Sequence, residues 1–273
     1  MTARRRAATD PSVHQQVLDE SYVVVDLLDR SEVDAIREAL RAFDLDTDHE
    51  FFASPYHAHG PSARTFDLAV KRLVAKPIDA VAPQHTAFMV AVTSKGKRRG
   101  AAIKFHHDWT YTDERVDRPI FFWCPLVDTS PRNGGLAVVP GSHRWTSGIR
   151  PSRAVEATEH LQDRFAPLAV DLEVRAGQAV AFDPALLHGS GPNPTSRGRP
   201  AVTVACVREG AQLLHFHEDA DGNLHGARVN DAFFTEHPYR TAPTGYPPFA
   251  PWTVAVTEQD FVSALDGVAV SPS

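Results

Sequence analysis

The 273-residue chain has only two cysteines, Cys124 and Cys206, and both fall inside apolar runs. Two thiols so placed exclude a disulfide framework and make a reducing compartment, the cytoplasm, the expected location. Nowhere is there a stretch of about 18 apolar residues, so no membrane-spanning helix is expected. The basic start, with Arg4, Arg5 and Arg6, lacks the apolar run that a secretory signal would place after it. Surplus positive charge is also missing: the net charge is -6, which offers nothing to nucleic acid.

With 42% hydrophobic and 23% charged residues, the composition is that of an ordinary globular protein. The expected organisation is a single domain over residues 1–273: a core at about 85–217, an N-terminal helical layer at about 12–82 and a proline-rich C-terminal wrap at about 237–273. Tyr22 to Val25 reads as a short strand. Asp29 followed by Glu32 forms a capping-box pattern ahead of Val33, Ile36 and Leu40, and predicts a helix there. A second helix is expected from Phe66 to Ala75, ended by Pro77. From His85 the period becomes strand-like. Runs at 86–93, 101–108, 120–127, 136–139, 168–172, 179–182 and 201–207 predict a sandwich or closed barrel. Residues 150–163 read as a polar insert with some helix, and 237–252, with its prolines, as irregular coil.

The segment Lys104-Phe105-His106-His107-Asp108-Trp109 ends one of these strands. Alternation puts Lys104, His106 and Asp108 on one face and His107 on the other. His188, in His188-Gly189-Ser190, supplies a second imidazole after a later strand. Two histidines and one carboxylate leave three positions of an octahedron open, the arrangement of non-haem iron(II) oxygenases. Arg199 then opens the strand that follows, where its guanidinium can grip the far carboxylate of a dicarboxylic cosubstrate. Arg197 competes for that role from two residues earlier.

Four motifs stand in order: His106-His107-Asp108-Trp109, Trp123-Cys124-Pro125-Leu126, the run Asn133-Gly134-Gly135 to Pro140-Gly141-Ser142-His143, and His188-Gly189-Ser190 with Arg199. In these the chain resembles the phytanoyl-CoA dioxygenase superfamily over roughly residues 85–208, with a similar strand-and-helix opening at 22–40. The resemblance implies a mainly β fold with flanking helices, a double-stranded β-helix or cupin-like jelly-roll barrel. It implies Fe(II), 2-oxoglutarate and dioxygen as cofactor and cosubstrates. His106, Asp108 and His188 become the metal ligands and catalytic centre, and Arg199, Trp123 and Ser190 the cosubstrate site. Gln84 and Thr93 are candidates for a further polar cosubstrate contact. Halogenating relatives replace the carboxylate by glycine or alanine, so Asp108 favours hydroxylation.

The expected reaction is hydroxylation of an unactivated C–H of a small molecule, such as a natural-product intermediate, an amino acid or an acyl-type substrate, with release of succinate and CO2. Desaturation, epoxidation or cyclisation at the same metal site is one alternative, and a non-oxidative cupin-like binding module is another. A carrier- or coenzyme A-linked substrate stays open, although no motif indicates one. Lys104 and Trp109 are candidate substrate contacts, although Lys104 can equally pair with Asp128 or another acid. His107 reads as structural, His143 as a loop anchor, and His215 with His217 as a solvated or substrate-lining pair rather than a zinc site. The run 95–100 reads as a charged turn some 20 Å or more along the strand from His106, at about 3.3 Å per residue. Loops at 51–64, 109–118 and 144–163, with the tail, are expected to set specificity.

Overall fold

A computed structural model describes residues 12–41, 50–98, 100–152, 154–238 and 241–269; Arg4 to Arg6, Arg99 and the end of the C-terminal wrap lie outside them. The chain opens with α1 (Val13–Glu20), where the Ser12 side chain accepts from the Gln15 N–H, then β1 (Tyr22–Asp26) and α2 (Arg30–Arg41). The capping box ahead of α2 is complete. Asp29 Oδ1 accepts from the Glu32 N–H at 2.9 Å, and Glu32 Oε2 from the Asp29 N–H at 2.8 Å.

After β2 (Phe51–Ala53) and the short α3 (Ser54–His57), α4 runs from Pro61 to Val81 and carries Pro77 inside it. The expected stop at this proline is thus corrected. A proline in a helix interior costs about 3 kcal/mol. Phe66, Val70, Val74 and Ile78 nevertheless continue one buried stripe at four-residue spacing past that point. Burying each such side chain stabilises by roughly 1.5–3 kcal/mol, and the stripe outweighs the break.

The strands β3 (His85–Lys95), β4 (Ile103–His106), β5 (Ile120–Pro125), β6 (Leu136–Val138), β7 (Val170–Asp171), β8 (Gln178–Phe182), β9 (His188–Ser190) and β10 (Arg199–Arg208) join β1 and β2 in two antiparallel sheets. One has six strands in the order β1-β8-β5-β10-β3-β2 and the other four in the order β4-β9-β6-β7. Their inner faces pack together, with Trp123, Val180 and Ala201 of the larger sheet meeting Leu136 and Val138 of the smaller. This is the mainly β jelly roll with flanking helices that the sequence predicts. The outer face of the larger sheet is buried as well: Phe122, Cys124, Val202 and Val204 pack under Ile36 of α2 and Val70 of α4. Burial on both faces explains why β5 reads as an unbroken apolar run rather than an alternation. Cys124 and Cys206 are free thiols in this layer, and burial pushes Cys124 up to about 12.

Polar insert residues form a three-ten stretch and α5 (Gln162–Phe165). A third small sheet joins β11 (Leu214–Glu218), at the end of the expected core, to β12 (Leu224–Arg228) and β13 (Pro248–Phe249); these last two strands, the single turn α6 (Phe233–Glu236) and α7 (Glu258–Ala269) were not expected. Residues 241–252 are mostly irregular, but α7 then packs Phe261 and Leu265 against Phe165 and Leu187. Among the described residues, no helix is long and apolar enough to cross a membrane.

Candidate active site

Strands β4 and β9 are neighbours in the smaller sheet, and their register sets His106 opposite His188. Gly189 makes the approach possible. A Cβ there would lie 2.8 Å from the Ile103 carbonyl oxygen and 3.2 Å from the Phe105 nitrogen, so a side chain would push β4 away. His106 Nδ1 stands 2.9 Å from the Lys104 carbonyl and His188 Nδ1 2.9 Å from the Leu186 carbonyl. Each ring donates from Nδ1 and keeps the Nε2 lone pair for a ligand. Asp108 leaves β4 with its N–H donating to the Pro184 carbonyl at 2.8 Å. Its own carbonyl accepts from Arg150 Nε at 2.8 Å, and Arg150 is a buried cation paired with Glu114.

Ligand atoms of His106, Asp108 and His188 all lie within 4.8 Å of one another, with His188 Nε2 3.9 Å from Asp108 Oδ2. Nitrogen and oxygen ligands sit about 2.1 Å from a transition-metal ion, so small rotations bring the three onto one ion. Burial and the like charge of His188 push His106 down to about 4, which keeps the ring in the neutral form that binds metal. Among the described residues, this is the only group of three such side chains gathered closely enough to hold an ion.

Arg199 opens β10 on the inner face of the larger sheet and is 3% exposed. Its guanidinium lies over the Trp123 ring, 5.5 Å from the centroid, and its Nε and Nη1 are buried without an acceptor. Burial pulls the group down to about 10. Partnerless donors in a planar fork suit a carboxylate. Arg197 is exposed, and its backbone bonds to Asn193 and Thr195 in the loop ahead of β10. A cavity of about 250 Å³ joins the triad to Arg199, Trp123 and Ser190. Thr93 also lines it, whereas Gln84 sits exposed beyond the far end of β3.

The family model for phytanoyl-CoA dioxygenase matches residues 21–201. The chain belongs to the phytanoyl-CoA dioxygenase family. Similar proteins include a probable phytanoyl-CoA dioxygenase of Caenorhabditis elegans, 28% identical over 146 residues that make up 49% of this chain and 45% of that protein. The ectoine dioxygenase of Nocardia farcinica is 31% identical over 116 residues, 36% of this chain and 39% of that protein. The chain spans less than half the length of these curated relatives. Among solved structures, the epimerase SnoN in complex with Fe3+, alpha ketoglutarate and nogalamycin RO aligns over 90% of this chain and 94% of its own, with a TM-score of 0.57 and 19% identity. That likeness is one of fold.

Other residues of this phytanoyl-CoA dioxygenase family member fall as follows. Lys104 touches the cavity, but its ammonium is exposed and paired with Glu159 at 2.9 Å; Asp128 instead accepts from the Ala176 N–H. Trp109 lines the cavity. His107 also touches the cavity wall, but its ring stacks on Phe261 of α7, with both ring nitrogens buried and without a hydrogen-bond partner among the described residues. His143 bonds through Nε2 to the Leu18 carbonyl. His215 packs on Phe233 and His217 stacks toward His225, and neither lines the cavity, which corrects the substrate-lining reading. The loops at 51–64 and 109–118 reach the cavity, whereas no described residue of 144–163 or the tail does.

Lys95 corrects the charged-turn reading. It is 0% exposed, and Nζ donates to the carbonyls of Ala101 at 2.6 Å, Gly191 at 2.5 Å and Ser190 at 3.3 Å. In the register of β3 and β10 it faces Arg199. Gly134, at φ +75°, leaves room for the stem, since a Cβ there would lie 2.9 Å from Lys95 Cδ. The signal was in the strand: alternation from Met89 through Ala91 and Thr93 carries Lys95 to the inner face.

Proposed function

We propose that this chain is an Fe(II)- and 2-oxoglutarate-dependent oxygenase that hydroxylates an unactivated C–H of a small molecule and releases succinate and CO2. The observation that carries the reading is a single cavity with an open two-histidine, one-carboxylate triad on one sheet and partnerless buried guanidinium donors on the other. A mere metal-binding module has no use for the second feature.

In this reading His106 and His188, through Nε2, and Asp108 hold the iron. Arg199 grips the far carboxylate of 2-oxoglutarate in a two-pronged contact, with Trp123 packed against the guanidinium and Ser190 at the wall. Iron held there together with 2-oxoglutarate would supply the oxidising chemistry for attack on a C–H bond. The apolar lining around Phe121 and Phe182 keeps water from that step. Asp108 fills a coordination position that a halide would otherwise take, which favours hydroxylation.

The test is succinate formation by the iron-loaded chain under air, with product mass separating a gain of oxygen from a loss of two hydrogens. Asp108→Ala is expected to abolish both products. Hydrogen bonds to charged groups contribute about 1.5–3 kcal/mol each, so Arg199→Met is expected to raise the KM for 2-oxoglutarate on the order of a hundredfold. Iron binding without succinate from any candidate substrate would favour the binding-module reading.

A further inference from the structure

An unbroken arc of aromatic rings leads from the cavity mouth to the triad. Tyr56, 46% exposed at the rim, meets Trp109 edge-on with centroids 6.1 Å apart. Trp109 lies 6.3 Å from Tyr111, Tyr111 5.6 Å from Phe121, Phe121 5.8 Å from Phe182, and Phe182 5.1 Å from the ring of His188. All of them line the one cavity. The rings are tilted or edge-on to one another, so the wall offers both ring faces and ring edges, the two surfaces on which a further ring packs well.

The charged groups on this cavity have other engagements. The triad faces the ion and Arg199 the cosubstrate; His107 stacks behind β4 on Phe261. A substrate anion would have to compete with Glu159 for Lys104. Ligand pockets usually span about 300–1,000 Å³, and 2-oxoglutarate takes part of the 250 Å³ here. Only the reacting portion of a substrate fits inside, and the remainder passes out beside Tyr56.

Resting on the oxygenase reading above, we infer that the substrate is an uncharged, ring-bearing small molecule, held along Tyr56, Trp109 and Tyr111, and not a free amino acid or an acyl thioester. The test uses the full chain loaded with redox-inert zinc(II) and 2-oxoglutarate. 1-Naphthol serves as the ring probe, L-leucine and hexanoyl-CoA as charged competitors, and saturation-transfer NMR and calorimetry as readouts. Naphthol is expected to bind, and neither competitor to displace it. Trp109→Leu and Tyr56→Ala are each expected to weaken naphthol at least about tenfold, and Lys104→Met to leave it unchanged. Tyr56 is a rim residue, so Tyr56→Ala keeps the test decisive if Trp109→Leu fails to fold. Preferential binding of L-leucine or hexanoyl-CoA, dependence on Lys104, or naphthol binding that is absent or survives both aromatic substitutions would overturn the inference. Failure of the unaltered protein to bind 2-oxoglutarate, titrated separately, would instead overturn the oxygenase reading.

Discussion

Lys95 carries its ammonium into the protein with three carbonyls to receive it and, among the described residues, no acid. Burial, then the like charge of Arg199, pulls its folded value to about 7, against 10.5 for an ordinary lysine. Between those values the unfolded chain holds a proton that the folded protein lacks. Raising the pH through that window removes this advantage of the unfolded state, so the stability of the fold rises with pH there. Lys95→Met is expected to flatten the rise, as measured by denaturant unfolding across the window. At this scale the sequence was informative wherever chemistry is written as a motif. His106, Asp108, His188 and Arg199 were singled out from residue type and order, and the fold gathers them around one cavity. Lys95 and the Arg150–Glu114 pair were not singled out. What makes them unusual is a buried cation held by carbonyls alone in the one case and by a carboxylate in the other, which appears only once distant segments meet.

The single strand β4 shows how an element is finished by a side chain. It bonds to β9 along one edge. On its other edge the Phe105 N–H donates to Gln162 Oε1 at 2.7 Å, and Gln162 Nε2 donates to the Phe105 carbonyl at 2.9 Å. The amide of α5 thereby takes the place of a neighbouring strand and blunts an open edge. Gln162→Ala leaves two backbone groups unpaired and is expected to cost about 1–3 kcal/mol in urea unfolding of the metal-free protein. Nothing in the polar insert announced this role. Elements with a strong local signal were legible, among them α2 through its capping box and β5 and β10 through their apolar runs. Pro77 misled because a local rule yielded to the buried stripe of α4. The strands β11 to β13 are short and interrupted by polar residues, and α7 lies beyond a proline-rich stretch, so their pairing depends on neighbours far along the chain.

Across the whole molecule, burial lowers His106, His107 and His215 below the ordinary 6.5, with His106 and His215 near 4. As the pH falls from 6.5 toward 4, the unfolded chain takes up protons on these residues that the folded protein refuses, so the stability of the fold declines over that interval. Metal bound to a neutral His106 raises stability overall, but it keeps protons off the folded protein still further and so steepens the loss. Thermal midpoints are expected to lie higher in the metal-loaded protein but to fall more steeply across the interval than in the metal-free one; equal slopes would contradict this account. Strand density and punctuation in the sequence pointed to a sandwich or barrel and the family resemblance to a jelly roll, whereas the division of labour between its sheets was not legible. The triad hangs from the smaller sheet and Arg199 from the larger, with Leu136 and Val138 set against Val180 and Ala201 between them. Those side chains act as the fixed jaws of a caliper. Under the proposed reading, an oxoacid one methylene longer or shorter, 2-oxoadipate or oxaloacetate, is expected not to replace 2-oxoglutarate in turnover assays, even when a rim residue such as Tyr56 is altered.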